Sequence, residues 1–180
     1  MTVAQEETLD SELRVIIFRL ADRLFGMKID YVREVLEYRE PTSVPNSPAW
    51  LAGVLSINDR ILPVASMAHC LQIEQNGKQH LAGHLLTIEV SGQEMALTAD
   101  EVTAIRTFNT SEVTKPDTFT VNGSLSLLDG IIREDGNEDV LILLVNPENL
   151  VDSEMMRQAV DYSQECDMVS QGTQVGEDHE

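Results

Sequence analysis

The chain has 180 residues, with 31 acidic against 12 basic side chains and a formal net charge of −19. That balance excludes nucleic acid and anionic membrane as partners, since both need a basic surface, and it steers the chain toward basic ones. The length suits one domain or two small ones, no apolar run reaches the ~18 residues of a spanning helix, and the acidic N-terminus is unlike a signal peptide, so the expected location is the cytoplasm.

Residues 1–14 read as a disordered acidic arm, polar through Glu12. Val15–Leu20 is an apolar strand. Ala21-Asp22-Arg23 turns it and Leu24–Ile29 returns, with Gly26 marking a bulge or a close approach. Asp30 is placed to cap a short helix over Tyr31–Glu37, with Val32, Val35 and Leu36 on one face. Pro41, Pro45 and Pro48 impose an extended loop, and Ser47 is placed to cap a helical turn beginning at Pro48.

Gly53–Ala65 is the stretch around which the chain is organised. Two Val/Ile/Leu-rich runs flank Asn58-Asp59, residues that tolerate positive φ and so suit a two-residue type I′ turn. Gly53 marks a site with no room for a side chain or with unusual φ. Pro63 lacks a backbone donor, which predicts an edge strand or a bulge. Met67–Leu71 reads as a short helix, and Gln72–Gly83 as a polar linker.

The chain then repeats itself. Phe18–Val35 and Ile88–Ile105 align without a gap: Phe25 meets Met95, Met27 meets Leu97, Asp30 meets Asp100, Val32 meets Val102 and Val35 meets Ile105. Gly130–Val145, turning over Glu134–Asp139, echoes Gly53–Ala65, and Pro147–Leu150 echoes Met67–Leu71. Each half gives strand, strand, short helix, strand, strand, short helix. Two similar small barrels are expected, divided roughly at 15–82 and 83–151, because closure removes the exposed edges of so many short strands. Ser153–Tyr162 can form a helix with Met155, Met156, Ala159 and Val160 on its apolar side, and the rest of 152–180 is an acidic tail.

Catalytic equipment is scarce. Four histidines, His69, His80, His84 and His179, are scattered, and no glycine-rich phosphate loop or nucleophile elbow is present. A metal-dependent enzyme built on His69, Cys70, His80 and His84 lacks the three or four convergent ligands such a site needs. Cys70 and Cys166 lie far apart in sequence and read as free thiols. No catalytic residue, metal or cofactor is assigned, and the chain reads as a binding adaptor.

In Phe18-x-Leu20, Phe25-Gly26-Met27-x-Ile29, Val32-Arg33-Glu34-Val35, Val44–Pro48, Trp50–Val54, Ile61–Val64, Asp100-x-Val102, Leu128-x-Gly130 and Leu141–Val145, the chain resembles the CheW-like adaptors of bacterial chemosensory systems, over about Val15–Val151. The resemblance implies a mainly β fold of two SH3-like five-stranded barrels with short connecting helices. It implies a non-enzymatic scaffold linking methyl-accepting chemoreceptor cytoplasmic tips to the regulatory domain of a CheA-type histidine kinase, recruited to receptor arrays without membrane insertion. By position it carries receptor contact to Val32, Glu34, Val35 and Gly53. At the hairpin turn the family's Asn-Leu-Arg-Gly is replaced by Ser56-Ile57-Asn58-Asp59, so Asn58 stands where the arginine does, with Arg60 two positions on. The usual aspartate after the Pro-Val strand is Ser66. Asn58, Asp59 and Arg60 therefore join the receptor-facing set, while the kinase contacts are not assigned. These departures suggest a specialised paralogue. The alternative function is a divergent regulator, for instance of a pilus or twitching pathway, that binds the kinase but not a standard receptor.

Overall fold

The computed structural model describes residues 11–74, 83–115, 127–134, 137–151, 155, 157–159 and 161–162. The alternating apolar runs form strands. β1 (Glu12–Leu20) and β2 (Arg23–Lys28) make an antiparallel hairpin, in register from Val15↔Lys28 to Leu20↔Arg23. β1 takes in Glu12–Arg14, so these residues belong to the body rather than to the expected arm. Gly26 is a close approach, since a Cβ there would lie 2.7 Å from Val15 Cγ1. β6 (His84–Val90) and β7 (Gln93–Ala99) repeat this hairpin in the second half.

The helix expected over Tyr31–Glu37 is absent. A 3₁₀ turn, Ile29–Tyr31, passes directly into β3 (Val32–Glu37), which pairs antiparallel with β6, and no side chain caps the turn. Val32 and Val35 are β-branched and suit a pleated surface, so pairing with β6 overrides the apparent helical period. Its repeat partner β8 (Glu101–Asn109) likewise pairs with β1. Ser47 caps no helix: Leu51 N–H bonds Pro48 O at 3.0 Å in a single turn, and β4 (Leu51–Ile57) starts there.

β4 and β5 (Arg60–Ala65) form the central hairpin, with Asn58 and Asp59 at φ 50° and 61°, as an I′ turn requires. β5 is not an edge strand, because β7 lies on its other side. Pro63 is tolerated because β5 meets β7 only from Val64, at Val64↔Ala96 and Ala65↔Leu97. The helix α1 (Met67–Cys70) follows, with Ser66 Oγ accepting from His69 N–H. In the second half β9 (Val113–Thr114), β10 (Leu128–Glu134), β11 (Asn137–Val145) and α2 (Pro147–Leu150) complete the pattern.

The strands assemble into two sheets, ordered β8-β1-β2-β11-β10-β9 and β3-β6-β7-β5-β4. Each has five main strands, and a short segment lies beside the outer hairpin: β9 in one sheet, the Thr42↔Val54 bridge in the other. The two-barrel architecture holds, but the division at 82/83 does not separate the barrels. Each repeat keeps its later strands and gives its first hairpin to the other sheet. A short parallel joint seals each exchange, β2 with β11 and β7 with β5.

Three cores result. The largest lies between the sheets and includes Phe18, Phe25, Met27, Ile88, Met95 and Leu97. Met155 and Ala159, from the helical residues near the C-terminus, also pack there. One barrel encloses Val15, Ile17, Phe108, Ile132, Ile142 and Leu144. The other has a smaller cluster, Val64, Leu85 and Ala96, with Leu36, Tyr38 and Leu55 against them. The predicted tail beyond Ser163, the turn residues 135–136, the linker residues 75–82, and Met156, Val160, His80, Cys166 and His179 lie outside the described residues.

Candidate functional site

The barrel with the smaller core is open at one end. Thr87 faces Ala96 across β6 and β7, and the mouth beside Thr87 is a cavity rather than filled core. This cavity of about 280 Å³ is lined by Arg33, Glu34, Ile57, Asn58, Arg60, Leu62, Thr87 and Glu94. Its floor is Ile57, Leu62 and the buried Thr87, whose hydroxyl donates to Glu34 O at 3.3 Å.

A β-bulge shapes one wall. The β3–β6 register runs Val32↔Ile88 and then Glu34↔Thr87, so Arg33 is the extra residue. Arg33 and Glu34 both line the mouth, while Val32 and Val35 oppose Ile88 and Leu86 of the inter-sheet core. The helix expectation put Val32, Val35 and Leu36 on one face. Leu36 instead pairs with Leu85 and packs against the smaller core, whereas Val32 and Val35 do share a face, though not as a helix. A bulged strand puts them there, because one inserted residue restores the common side. β8 repeats the device: Thr103 is skipped between Phe18↔Val102 and Ile17↔Ala104. Val35 and its repeat partner Ile105 are two of the three large apolar side chains that stay exposed among the described residues, at 40% and 54%.

The rim is charged. Arg33 Nη2 lies 2.7 Å from Glu89 Oε2, with Nε at 3.1 Å. Arg60 Nη1 pairs with Glu94 Oε2. All four side chains are at least partly exposed, so each pair adds only about 0–1 kcal/mol and serves to hold geometry. Among the described residues, the Glu34 carboxylate has no ion-pair partner. No group of three or more metal-ligating side chains occurs among them either.

Of the residues expected to face a receptor, Glu34, Asn58 and Arg60 line one cavity. Asp59 completes the turn at its lip, and Val32 and Val35 lie on the opposite face of β3. Gly53 stands apart. It is buried at the other end of the hairpin, at φ 149°, where a Cβ would sit 2.3 Å from Thr42 O. Its repeat partner Gly130 is similarly crowded by Val113 and Thr114 of β9. Arg33, Glu94 and Glu89 were missed. The only sequence signal for them is Glu94's place just after the Gly92 turn, because a bulge and a cross-strand ion pair leave no local pattern.

The CheW-like domain matches residues 14–155. The chain is 23% identical over 155 residues to the chemotaxis protein CheW of Rhizobium meliloti, covering 86% of this chain and 97% of that one. It is 26% identical over 135 residues to the protein FrzA of Myxococcus xanthus, covering 74% and 82%. The scaffolding protein TtCheW of Thermoanaerobacter tengcongensis superposes with a TM-score of 0.70 at 21% identity, over 85% of this chain and 96% of that one. No helix among the described residues is long and apolar enough to cross a membrane. With a domain match over most of its length and a solved structure of the same two-barrel form, the chain belongs to the CheW-like family.

Proposed function

We propose that this CheW-like chemotaxis adaptor couples a chemoreceptor's cytoplasmic tip to a CheA-type histidine kinase, with no chemistry of its own. The observation that carries the reading is the edge strand β3. Among the described residues its outer edge lacks a strand neighbour, one face offers the half-exposed Val35, and the other offers Glu34 beside a charged cavity. An apolar contact with an unpaired carboxylate next to it suits a helix whose apolar stripe docks and whose basic side chain sets the register. The kinase would contribute a regulatory domain of the same barrel type, and recruitment to the membrane would come through the receptor.

A second reading has a specific basis. Asn58 replaces the family's arginine, and Arg60 is held by Glu94. A regulator that binds the kinase but not a standard receptor fits both observations, and the likeness to FrzA is compatible with it. Binding of the wild-type chain to a receptor fragment separates the readings, and Glu34→Lys then tests the site. In the coupling reading it weakens receptor-fragment binding about tenfold, the ~1.4 kcal/mol expected for reversing a register charge, with the melting temperature unchanged. Unchanged receptor affinity refutes the assignment of Glu34.

A further inference from the structure

The two parallel joints are related by the internal repeat but are chemically different. Met27↔Val145 in one corresponds to Leu97↔Ala65 in the other. One residue further on stand Lys28 and Thr98, and the helices that follow are capped by Asn146 and Ser66. The Thr98 joint is neutral, with Met67 N–H donating to Thr98 Oγ1 at 3.3 Å.

The Lys28 joint is a charged network. Lys28 Nζ lies 2.8 Å from Asp129 Oδ2, an oxygen shielded from solvent. Asn146 Nδ2 donates to Asp129 Oδ1 at 2.7 Å, and Asn146 Oδ1 accepts from Glu148 N–H at 2.9 Å. Lys28 is itself the residue that leads into the turn Ile29–Tyr31, and burial, with the Glu148 carboxylate, raises the Tyr31 phenol. The network thus ties β10 and α2 of one sheet to the 3₁₀ turn Ile29–Tyr31, from which β3 of the other sheet departs.

We infer that Lys28, Asp129 and Asn146 are positioning residues that fix the exit of β3, and so set how the Glu34 and Val35 edge is presented. The inference about docking rests on the coupling reading above, whereas the fixing of β3 stands on the joint alone. The geometry separates positioning from plain stabilisation. Lys28 is the last residue of β2, and the turn it precedes is only three residues long, so loosening the joint frees the start of β3 first. Thr98 precedes β8 and accepts from Met67 N–H, away from the turn Ile29–Tyr31, so its replacement loosens the start of β8 rather than that turn.

The test is residue-resolved hydrogen exchange on the full chain, together with binding to a chemoreceptor cytoplasmic fragment from the same organism. The variants are Lys28→Met, Asp129→Asn, the exchange Lys28→Asp with Asp129→Lys, and Thr98→Val. The expected result is exchange at least tenfold faster over residues 29–37 in the first two, under threefold change over β8, partial recovery in the charge exchange, and no effect on β3 from Thr98→Val. Receptor affinity falls about tenfold in step. Should Lys28→Met not fold, Asn146→Ser gives the same comparison, because serine keeps the helix cap and loses the bond to Asp129. Unchanged exchange over 29–37, or acceleration spread evenly through both sheets, overturns the inference. So does faster exchange with wild-type receptor affinity. A wild-type chain that does not bind the fragment refutes the coupling reading instead, and the exchange result then decides the joint alone.

Discussion

Replacing Gly53 by alanine attacks the closure of one barrel. Thr42 and Val54 exchange two backbone hydrogen bonds, both 2.9 Å, across which Gly53 lies against the Thr42 carbonyl. A Cβ at 2.3 Å from that oxygen is impossible without moving backbone, so the Thr42 bridge must open or shift. Two such bonds are worth about 2 kcal/mol net. An alanine held at φ 149° adds about 1–3 kcal/mol of strain. The expected loss is therefore about 3–5 kcal/mol, or a fall of about 6–20 °C in melting temperature at this chain length. Gly92→Ala is the control: its φ is also positive, at 78°, but no atom lies within 4 Å of the added methyl. That change should cost only the ~1–2 kcal/mol of a left-handed alanine. Urea unfolding of the two variants side by side reads the difference. If Gly53→Ala costs no more than Gly92→Ala, the steric account of this glycine is wrong. Its place among receptor contacts would then need reopening, since a buried glycine acts on a partner only through the hairpin.

Asn58→Val places a β-branched residue at φ 50° and should destabilise the hairpin by about 1–2 kcal/mol, measured by urea unfolding. Alkaline pH should weaken the fold through the Lys28 joint. Hydrogen bonding to Asp129 raises the Lys28 ammonium above its ordinary 10.5, and burial followed by the Glu148 carboxylate raises the Tyr31 phenol above 10.0. Both groups hold their proton more tightly in the folded chain. The stability they add is complete below about pH 10 and is lost as pH rises through their folded values. The urea midpoint should fall between pH 10 and 12 in the wild type, and less steeply in a Lys28→Met, Tyr31→Phe double variant.

The hairpins were legible because period-two alternation and turn chemistry are local. Asn58-Asp59 predicted its own φ values, and Gly26 and Gly53 announced close approaches before any neighbour was known. The repeat was legible for the same reason, because aligned positions such as Val35 and Ile105 need only the sequence. Partner choice between strands was not legible. The sequence matched Phe18–Val35 to Ile88–Ile105, but only the folded chain reveals that each repeat lends its first hairpin to the other sheet. The Tyr31–Glu37 error has the same origin. With a bulge at Arg33, Val32 and Val35 share a face as they would on a helix, and pairing with β6 decides between the two. The cavity drew in Glu34, Asn58 and Arg60 from the expected set. Arg33, Glu89 and Glu94 entered through contacts that span more than thirty residues of sequence.

The most direct test of the coupling account is co-sedimentation of the purified chain with a chemoreceptor cytoplasmic fragment and a CheA-type kinase from the same organism. The account predicts that all three pellet together and that kinase activity changes when the adaptor is added. Kinase binding without receptor binding would contradict it and favour the divergent regulator, with the Asn58-Asp59 turn and the Arg60–Glu94 pair as the first places to seek the cause.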